Sequence, residues 1–276
     1  MKVLVFRAVK KPKHRHALRL KLGTTYFTYK RYTLWLFGGL KFAVQGTGNF
    51  DYEWFSHQTP LLRKLKDVDM HLQYNKITNL KIAVAKLAGV VIHPGETFSF
   101  WKLIGKPTKR KGYLKGVVLK NGAVTAGIGG GLCQLSNLIY WSALHTPLTI
   151  TERHRHGYDV FPDEGRSQPF GSGATCFYNY GDLMIRNDTN QSFQLNLTVT
   201  ENDLKGTWKS TSMPDCKYEV YEKHHLIQQA AWGGYSRHNI IFRKKIDDFG
   251  NVIADEFIVE NNAIMMYAPL LSERIQ

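Results

Sequence analysis

Acidic residues are missing from the first 50 positions of this 276-residue chain: Asp51 is the first, while Lys2, Arg7, Lys10, Lys11, Lys13, Arg15, Arg19, Lys21, Lys30, Arg31 and Lys41 all precede it. A block of one sign raises the local concentration of any polyanion, so an anionic membrane surface, an anionic cell-wall precursor and nucleic acid all come into view. Nucleic acid is not expected, because the remainder is much less basic and carries no recognised nucleic-acid motif. Cysteine is scarce too. Cys133, Cys176 and Cys216 are odd in number and lack CxxC spacing, which excludes a disulfide framework and a cysteine zinc site and leaves at least one thiol free. Long apolar runs are absent. Leu34–Leu40 is broken by Gly38 and Gly39 and followed by Lys41, short of the roughly 20 residues a bilayer span needs. Val3–Phe6 is too short for a secretory apolar segment, and Lys10–Arg15 follow it. The expectation is a cytoplasmic protein, soluble or peripheral on the inner face of the membrane. Residues 1–45 are the candidate membrane-surface segment, with Leu34–Leu40 read first as a buried element of the core.

What is present argues for a folded chain. Hydrophobic residues make up 43% and aromatics 13%, enough to bury a sizeable core and too much for disorder. Residues 1–66 form a basic, aromatic segment whose elements are not legible, apart from a short helix suggested after Pro60 over Leu61–Leu65. Thr78 or Asn79 can cap a helix carrying Leu80, Ala83, Val84 and Leu87 on one face, with Gly89 at its end. Val90–Ile92 reads as a strand before the turn Pro94-Gly95. Asn121-Gly122 between Lys115–Lys120 and Ala123–Thr125 marks a β-hairpin. Leu135, Leu138, Ile139, Ser142 and Ala143 recur at helical spacing until Pro147. Strands are expected over Leu148–Glu152, Thr175–Tyr180, Leu183–Arg186, Phe193–Thr200, Tyr218–Tyr221, Asn239–Lys245 and Glu256–Glu260. Early helices and later strands predict an α+β fold: a mixed, mainly antiparallel sheet, a helix starting at a glycine-rich cysteine turn, and a strand-rich C-terminal part. The organisation read from this is 1–66, a core domain over 67–200, and a C-terminal extension over 201–276.

The chemistry concentrates at Gly127-Ile128-Gly129-Gly130-Gly131-Leu132-Cys133, which puts Cys133 at a helix N-terminus. There the macrodipole and unpaired N–H groups favour a thiolate, which predicts a depressed thiol pKa. The glycines permit a tight turn whose N–H groups, around Gly131 to Cys133, can converge as an oxyanion hole. His145, His154 and His156 are the candidate bases, the last two on a strand returning beside the helix. Asp159, Asp163, Asp182, Asn179 and Asn187 are the candidates to orient one of them. The bland alternatives are an inert buried cysteine, or a turn that only binds an anion. His154 and His156 with Asp159 or Asp163 resemble a zinc set, but Arg153 and Arg155 are poor neighbours for a cation; no metal and no cofactor are expected.

Five separated motifs resemble the VanW family: Pro94-Gly95-Glu96-Thr97-Phe98-Ser99-Phe100-Trp101; Gly112-Tyr113 with Gly116; Gly129-Gly130-Gly131-Leu132-Cys133-Gln134-Leu135-Ser136-Asn137; Glu152-Arg153 with His156; and Asp182-Leu183 with Asn187. The tail, around Gly233-Gly234-Tyr235, is similar to short members found with glycopeptide-resistance clusters. The resemblance implies a bacterial, cell-wall-linked protein of vancomycin resistance. It further implies L,D-transpeptidase-like cysteine chemistry on peptidoglycan stem peptides or their precursors, with Cys133 as nucleophile and His156 as base. Gly129, Gly130, Gly131, Leu132, Gln134, Ser136 and Arg153 are then the expected substrate or oxyanion group. Where the family carries Gly-x-Asp-Ala-Thr, this chain has Gly171-Ser172-Gly173-Ala174-Thr175, so the orienting role falls to Asp182 or a main-chain carbonyl. The rival readings are a non-catalytic accessory protein that binds a precursor or glycopeptide, and a membrane-surface adaptor.

Overall fold

The computed structural model describes residues 16–62, 69–120, 122–160, 168–230 and 233–269. The chain opens with helix α1 (Ala17–Phe37), strands β1 (Val44–Gln45) and β2 (Tyr52–Pro60), helix α2 (Met70–Leu87), strands β3 (Val90–Ile92) and β4 (Thr97–Ser99), and the short helix α3 (Phe100–Ile104). The hairpin β5 (Lys115–Lys120) and β6 (Ala123–Ile128) then leads into helix α4 (Cys133–Ala143). Strands β7 (Thr149–Glu152), β8 (Tyr158–Asp159), β9 (Met184–Arg186), β10 (Phe193–Val199) and β11 (Asp203–Ser210) follow. The last three, β12 (Lys217–Gln229), β13 (Tyr235–Ile246) and β14 (Val252–Met265), are long. The architecture is α+β with mainly antiparallel sheets, and its C-terminal part is rich in strands.

One sheet runs β1-β3-β10-β11-β2 and carries the core. Helix α4 packs on β11 and β2, and α2 on β10 and the hairpin. The fit is close: a Cβ on Gly206 of β11 would lie 3.0 Å from Leu138 of α4, and Trp208, fully buried, donates its indole N–H to Ser142 at 3.1 Å. A second sheet, β12-β13-β14-β8, is antiparallel except where β8 joins β14 in parallel. A third, β4-β9-β7, holds the far wall of the site. Among the described residues no helix is long and apolar enough to cross a membrane.

Several sequence expectations are corrected here. Asn79 does not cap α2; the helix starts nine residues earlier, with Asp69 accepting from the His71 N–H at 2.8 Å. Asn79 is fully buried in mid-helix, where its amide donates to Leu114 O (3.1 Å) and Gly130 O (2.9 Å) and accepts from Leu114 N (2.8 Å). A polar residue inside an apolar stripe reads locally as a cap; here tertiary bonds give it another use. Leu34–Leu40 is not core: it closes α1, and Leu36, Phe37 and Leu40 are exposed. Pro60 ends a strand and Leu61-Leu62 are not helical; the rest of that predicted helix lies outside the described residues. Thr175–Tyr180 makes only the isolated bridge Phe177–Gly181, because the Thr175 amide donates to His154 O and the Cys176 amide to the Cys133 sulfur instead of to a neighbouring strand.

Because Asn79 satisfies three main-chain groups at once, Asn79→Ala leaves buried donors and acceptors unpaired. The expected loss is about 3 kcal/mol in urea unfolding, against about 1 kcal/mol for an ordinary hydrogen bond. A loss below 1 kcal/mol would show the clamp to be dispensable.

Candidate active site around Cys133

The turn before α4 is made by glycines in conformations closed to other residues. Gly129 and Gly131 have φ of +74° and +90°, left-handed values that L side chains rarely take. Gly130 lies against Gly116 so closely that a Cβ on Gly116 would sit 2.5 Å from the Gly130 carbonyl oxygen. The same contacts consume the amides expected to stabilise an oxyanion. Gly129 N–H donates to Leu114 O (3.0 Å), Gly130 N–H to Gly127 O (3.0 Å), and Gly131 N–H to Val117 O (2.9 Å). The glycine amides therefore fasten the hairpin, and the N–H groups without a main-chain acceptor are those of Leu132 and Cys133.

Cys133 is the first residue of α4 and its side chain is half-buried. Burial pushes its thiol pKa up, although the main-chain N–H groups of Cys176 and of Cys133 itself reach the sulfur and pull it back. The direction is thus opposite to the depression expected from the helix terminus, because burial outweighs the two main-chain donors. Cys176 stands beside it, raised further by burial, by the Asp182 carboxylate and by Cys133 itself, with Ser136 opposing.

The first turn of α4 holds the Cys176 segment through named bonds. Ala174 N–H donates to Asn137 Oδ1 at 2.7 Å, and Ser136 Oγ donates to Ala174 O at 2.6 Å. Thr175 N–H points the other way, to His154 O at 2.8 Å. Residues 174–176 therefore run between α4 and the chain that follows β7. A Cβ at Gly173 would lie 2.6 Å from Asn137 Oδ1, so the position where the resembling family carries Asp is occupied by a neighbouring carboxamide.

Beyond that segment lies a charged cluster. Glu152 Oε1 accepts from Arg31 Nη2 (2.5 Å), His154 Nε2 (2.8 Å) and the Asp182 N–H (3.0 Å). Burial alone would raise its carboxyl, but the bonds from His154 and Arg31, the Asp182 amide and the Arg31 charge hold it down at about 2. Asp182 is fully buried and accepts from Ser99 Oγ (2.5 Å), Trp101 N (2.9 Å) and Leu183 N (2.9 Å). Burial still raises it to about 6 against those donors and the Arg31 charge.

The sequence-predicted residues thus separate. His154 and His156 do not share a strand face, because β7 ends at Glu152 and the His154 ring turns back onto that residue. The His156 imidazole makes no hydrogen bond to any described residue, and burial and then Arg155 lower its pKa. Asp182 does not touch His156. Gln134 anchors the end of β2, donating to Thr59 Oγ1 and Pro60 O, each at 2.9 Å. Arg153 donates to Gly173 O (2.8 Å), Asn261 Oδ1 (3.0 Å) and Gly171 O and lies over Tyr140, which makes it a tie rather than a free cation. His145 is stacked on Phe55 away from the sulfur, and burial lowers its pKa to about 4. Asn187 ties Ile92 O to Gln191 O, Asn179 donates to Thr28 O, and Asp159 accepts from Tyr267. Asp163 lies outside the described residues. Sequence reasoning missed Glu152 and Arg31 as the charged centre. The Glu152-x-His154 spacing was an available signal for one pair; nothing local announces Arg31, 121 residues away.

These carboxyls set opposite pH dependences. Glu152, held at about 2 against its ordinary 4.5, stabilises the fold above pH 4.5, and that contribution is lost as pH falls towards 2. Asp182, raised to about 6 from 3.8, favours the fold when protonated, so its contribution grows as pH falls from 6 to 3.8 and is absent above 6. Asn can keep the Asp182 bonds without the charge. Asp182→Asn is therefore expected to gain stability relative to wild type at pH 7 and to converge with it near pH 4, read from urea midpoints. A difference independent of pH would contradict the assignment.

Comparison with known proteins places this geometry. A family model described as VanW like protein matches residues 75–209, a span running from α2 through β11 and enclosing the Cys133 turn. The vancomycin B-type resistance protein VanW of Enterococcus faecalis (strain ATCC 700802 / V583) is 37% identical over 175 residues, 63% of this chain and 64% of that protein. The uncharacterized protein YoaR of Bacillus subtilis (strain 168) is 30% identical over 116 residues, 41% of this chain and 36% of that protein. The chain thus spans less than two thirds of either relative, and no solved structure matches it. Over residues 75–209 the chain is thus similar to the VanW family.

Proposed function

We propose that this is a cell-wall-linked protein of glycopeptide-resistance type, in which Cys133 carries out acyl transfer or peptide cleavage, L,D-transpeptidase-like, on peptidoglycan stem peptides or their precursors. The observation that carries the reading is the convergence of main-chain N–H groups on the Cys133 sulfur at the start of α4. The printed name of the Enterococcus relative, a vancomycin resistance protein, supports the cell-wall context.

In this reading the thiol is protonated at rest and must lose its proton as it attacks. His156 takes it: its ring has no other hydrogen bond, and burial keeps it neutral, whereas His154 is engaged by Glu152. The sulfur adds to a peptide carbonyl, and the oxyanion is met by the N–H groups of Leu132, Cys133 and Cys176. The leaving amine then collects the proton from His156, which leaves a thioester on Cys133 for an acceptor amine or water to open. Asp182 acts at a remove, by fixing the loop behind Cys176. Incubation with isolated muropeptides and intact-protein mass spectrometry is expected to show an acyl adduct on wild type, none on Cys133→Ala, and about 100-fold slower formation in His156→Ala. Muropeptide or glycopeptide binding that survives Cys133→Ala, with no adduct on wild type, would replace this reading by the accessory-protein one.

A membrane-surface role through residues 1–45 is favoured by one observation. Leu18, Leu22, Tyr26, Tyr29 and Leu36 follow one another at helical spacing on α1 and are all more than 60% exposed, with Arg19, Lys21 and Lys30 interspersed. Such a stripe suits the interface of an anionic bilayer. Leu18→Glu with Leu22→Glu is expected to lower binding to phosphatidylglycerol vesicles at least 10-fold, measured by co-sedimentation; undiminished binding would refute it.

A further inference from the structure

We infer that a second site, walled by the start of the β5–β6 hairpin and by α2, binds a phosphate ester: a cavity of about 570 Å³ rimmed by Lys109, Lys115, His71 and Asn75. The site stands independently of the Cys133 chemistry. Its floor is apolar, from Leu114 and Ile128, so it suits a ligand whose charged group is joined to an apolar or aromatic body.

The charge balance is one-sided. Between Glu96 and Glu152 the sequence has no acidic residue, while Lys102, Lys106, Lys109, Arg110, Lys111, Lys115 and Lys120 fall in that interval. No ion pair neutralises Lys109 or Lys115 among the described residues. Lys111, by contrast, is spent on Lys106 O at 3.1 Å. Asp69, beside the rim, turns its carboxylate onto the His71 main-chain N–H. Two ammonium groups without an ion-pair partner and an imidazole around one cavity match a group with more than one negative charge better than a lone carboxylate.

The wall is also built to stay in place. Gly112, at φ +83°, closes the turn that carries Lys109 through its N–H to Lys109 O at 2.9 Å. Asn75 Nδ2 bonds Lys115 O at 2.9 Å and meets the His71 ring at 3.2 Å. Tyr113, 1% exposed, is the buried part of that wall and fixes it to the core.

Isothermal titration of the full chain with uridine diphosphate, and co-sedimentation with phosphatidylglycerol vesicles, test the site and distinguish its sources. The expected result is saturable binding that falls at least 10-fold in Lys109→Ala/Lys115→Ala. The control Lys205→Ala/Lys209→Ala, on β11, should change it less than 2-fold. Binding of the soluble diphosphate identifies a soluble ester. Binding to vesicles alone, if it is lost in the Lys109/Lys115 variant and kept in the control, identifies a lipid headgroup. Equal losses in both lysine pairs, or none in the first with the fold intact by melting, would overturn the inference.

Discussion

The close approach of two main chains, at Gly116 and Gly130, is the constraint on which the rest of this molecule depends. Any side chain at either position would force the hairpin away from α4. Asn79 turns that proximity into a fixed joint by bonding Leu114 and Gly130 together from the middle of α2. Helix, hairpin and glycine turn thereby become one body, and Cys133 inherits its position from it. The basic cavity shares this joint, since Leu114 belongs to both.

The second organising element is electrostatic. Two carboxylates, the half-buried Glu152 and the fully buried Asp182, sit near Cys176 and are treated differently by their surroundings. Glu152 meets a guanidinium and an imidazole and stays ionised; Asp182 meets hydroxyl and amide donors and is pushed towards protonation. Arg31 is what draws α1 onto the core, through Glu152 and through Tyr180 O at 3.2 Å. An ion pair this buried costs desolvation and contributes mostly by specifying arrangement, and the arrangement it specifies is the wall facing the sulfur.

Sequence legibility followed the range of the interactions. The hairpin β5–β6, the start of α4 and strand β10 were readable because Asn121-Gly122, the glycine run and alternating apolar residues act over a few positions. Helix α1 was not, since its apolar residues are spread around the helix and many face solvent. The start of α2 was misplaced because Asn79 looks locally like a cap, and its real partners lie 35 and 51 residues away. Strand β11 went unseen, and β12, β13 and β14 proved longer than their apolar centres, because polar strand residues are held by cross-strand ladders that no local pattern displays. At the site, the placement of Cys133 at a helix start was legible. The assignment of the glycine amides to the hairpin, the Cys176 amide at the sulfur and the burial that raises the thiol were not, since each is a tertiary fact.

In the proposed chemistry the Cys133 thiol stays protonated until a base removes its proton, because burial outweighs the two main-chain donors at the sulfur. Alkylation by iodoacetamide across pH, followed at Cys133 by peptide mass spectrometry, measures this directly. The account predicts a midpoint above the roughly 8.5 of a free thiol. A midpoint below about 8 would mean a thiolate at rest, and would contradict the account of how burial and main-chain donors balance at this sulfur.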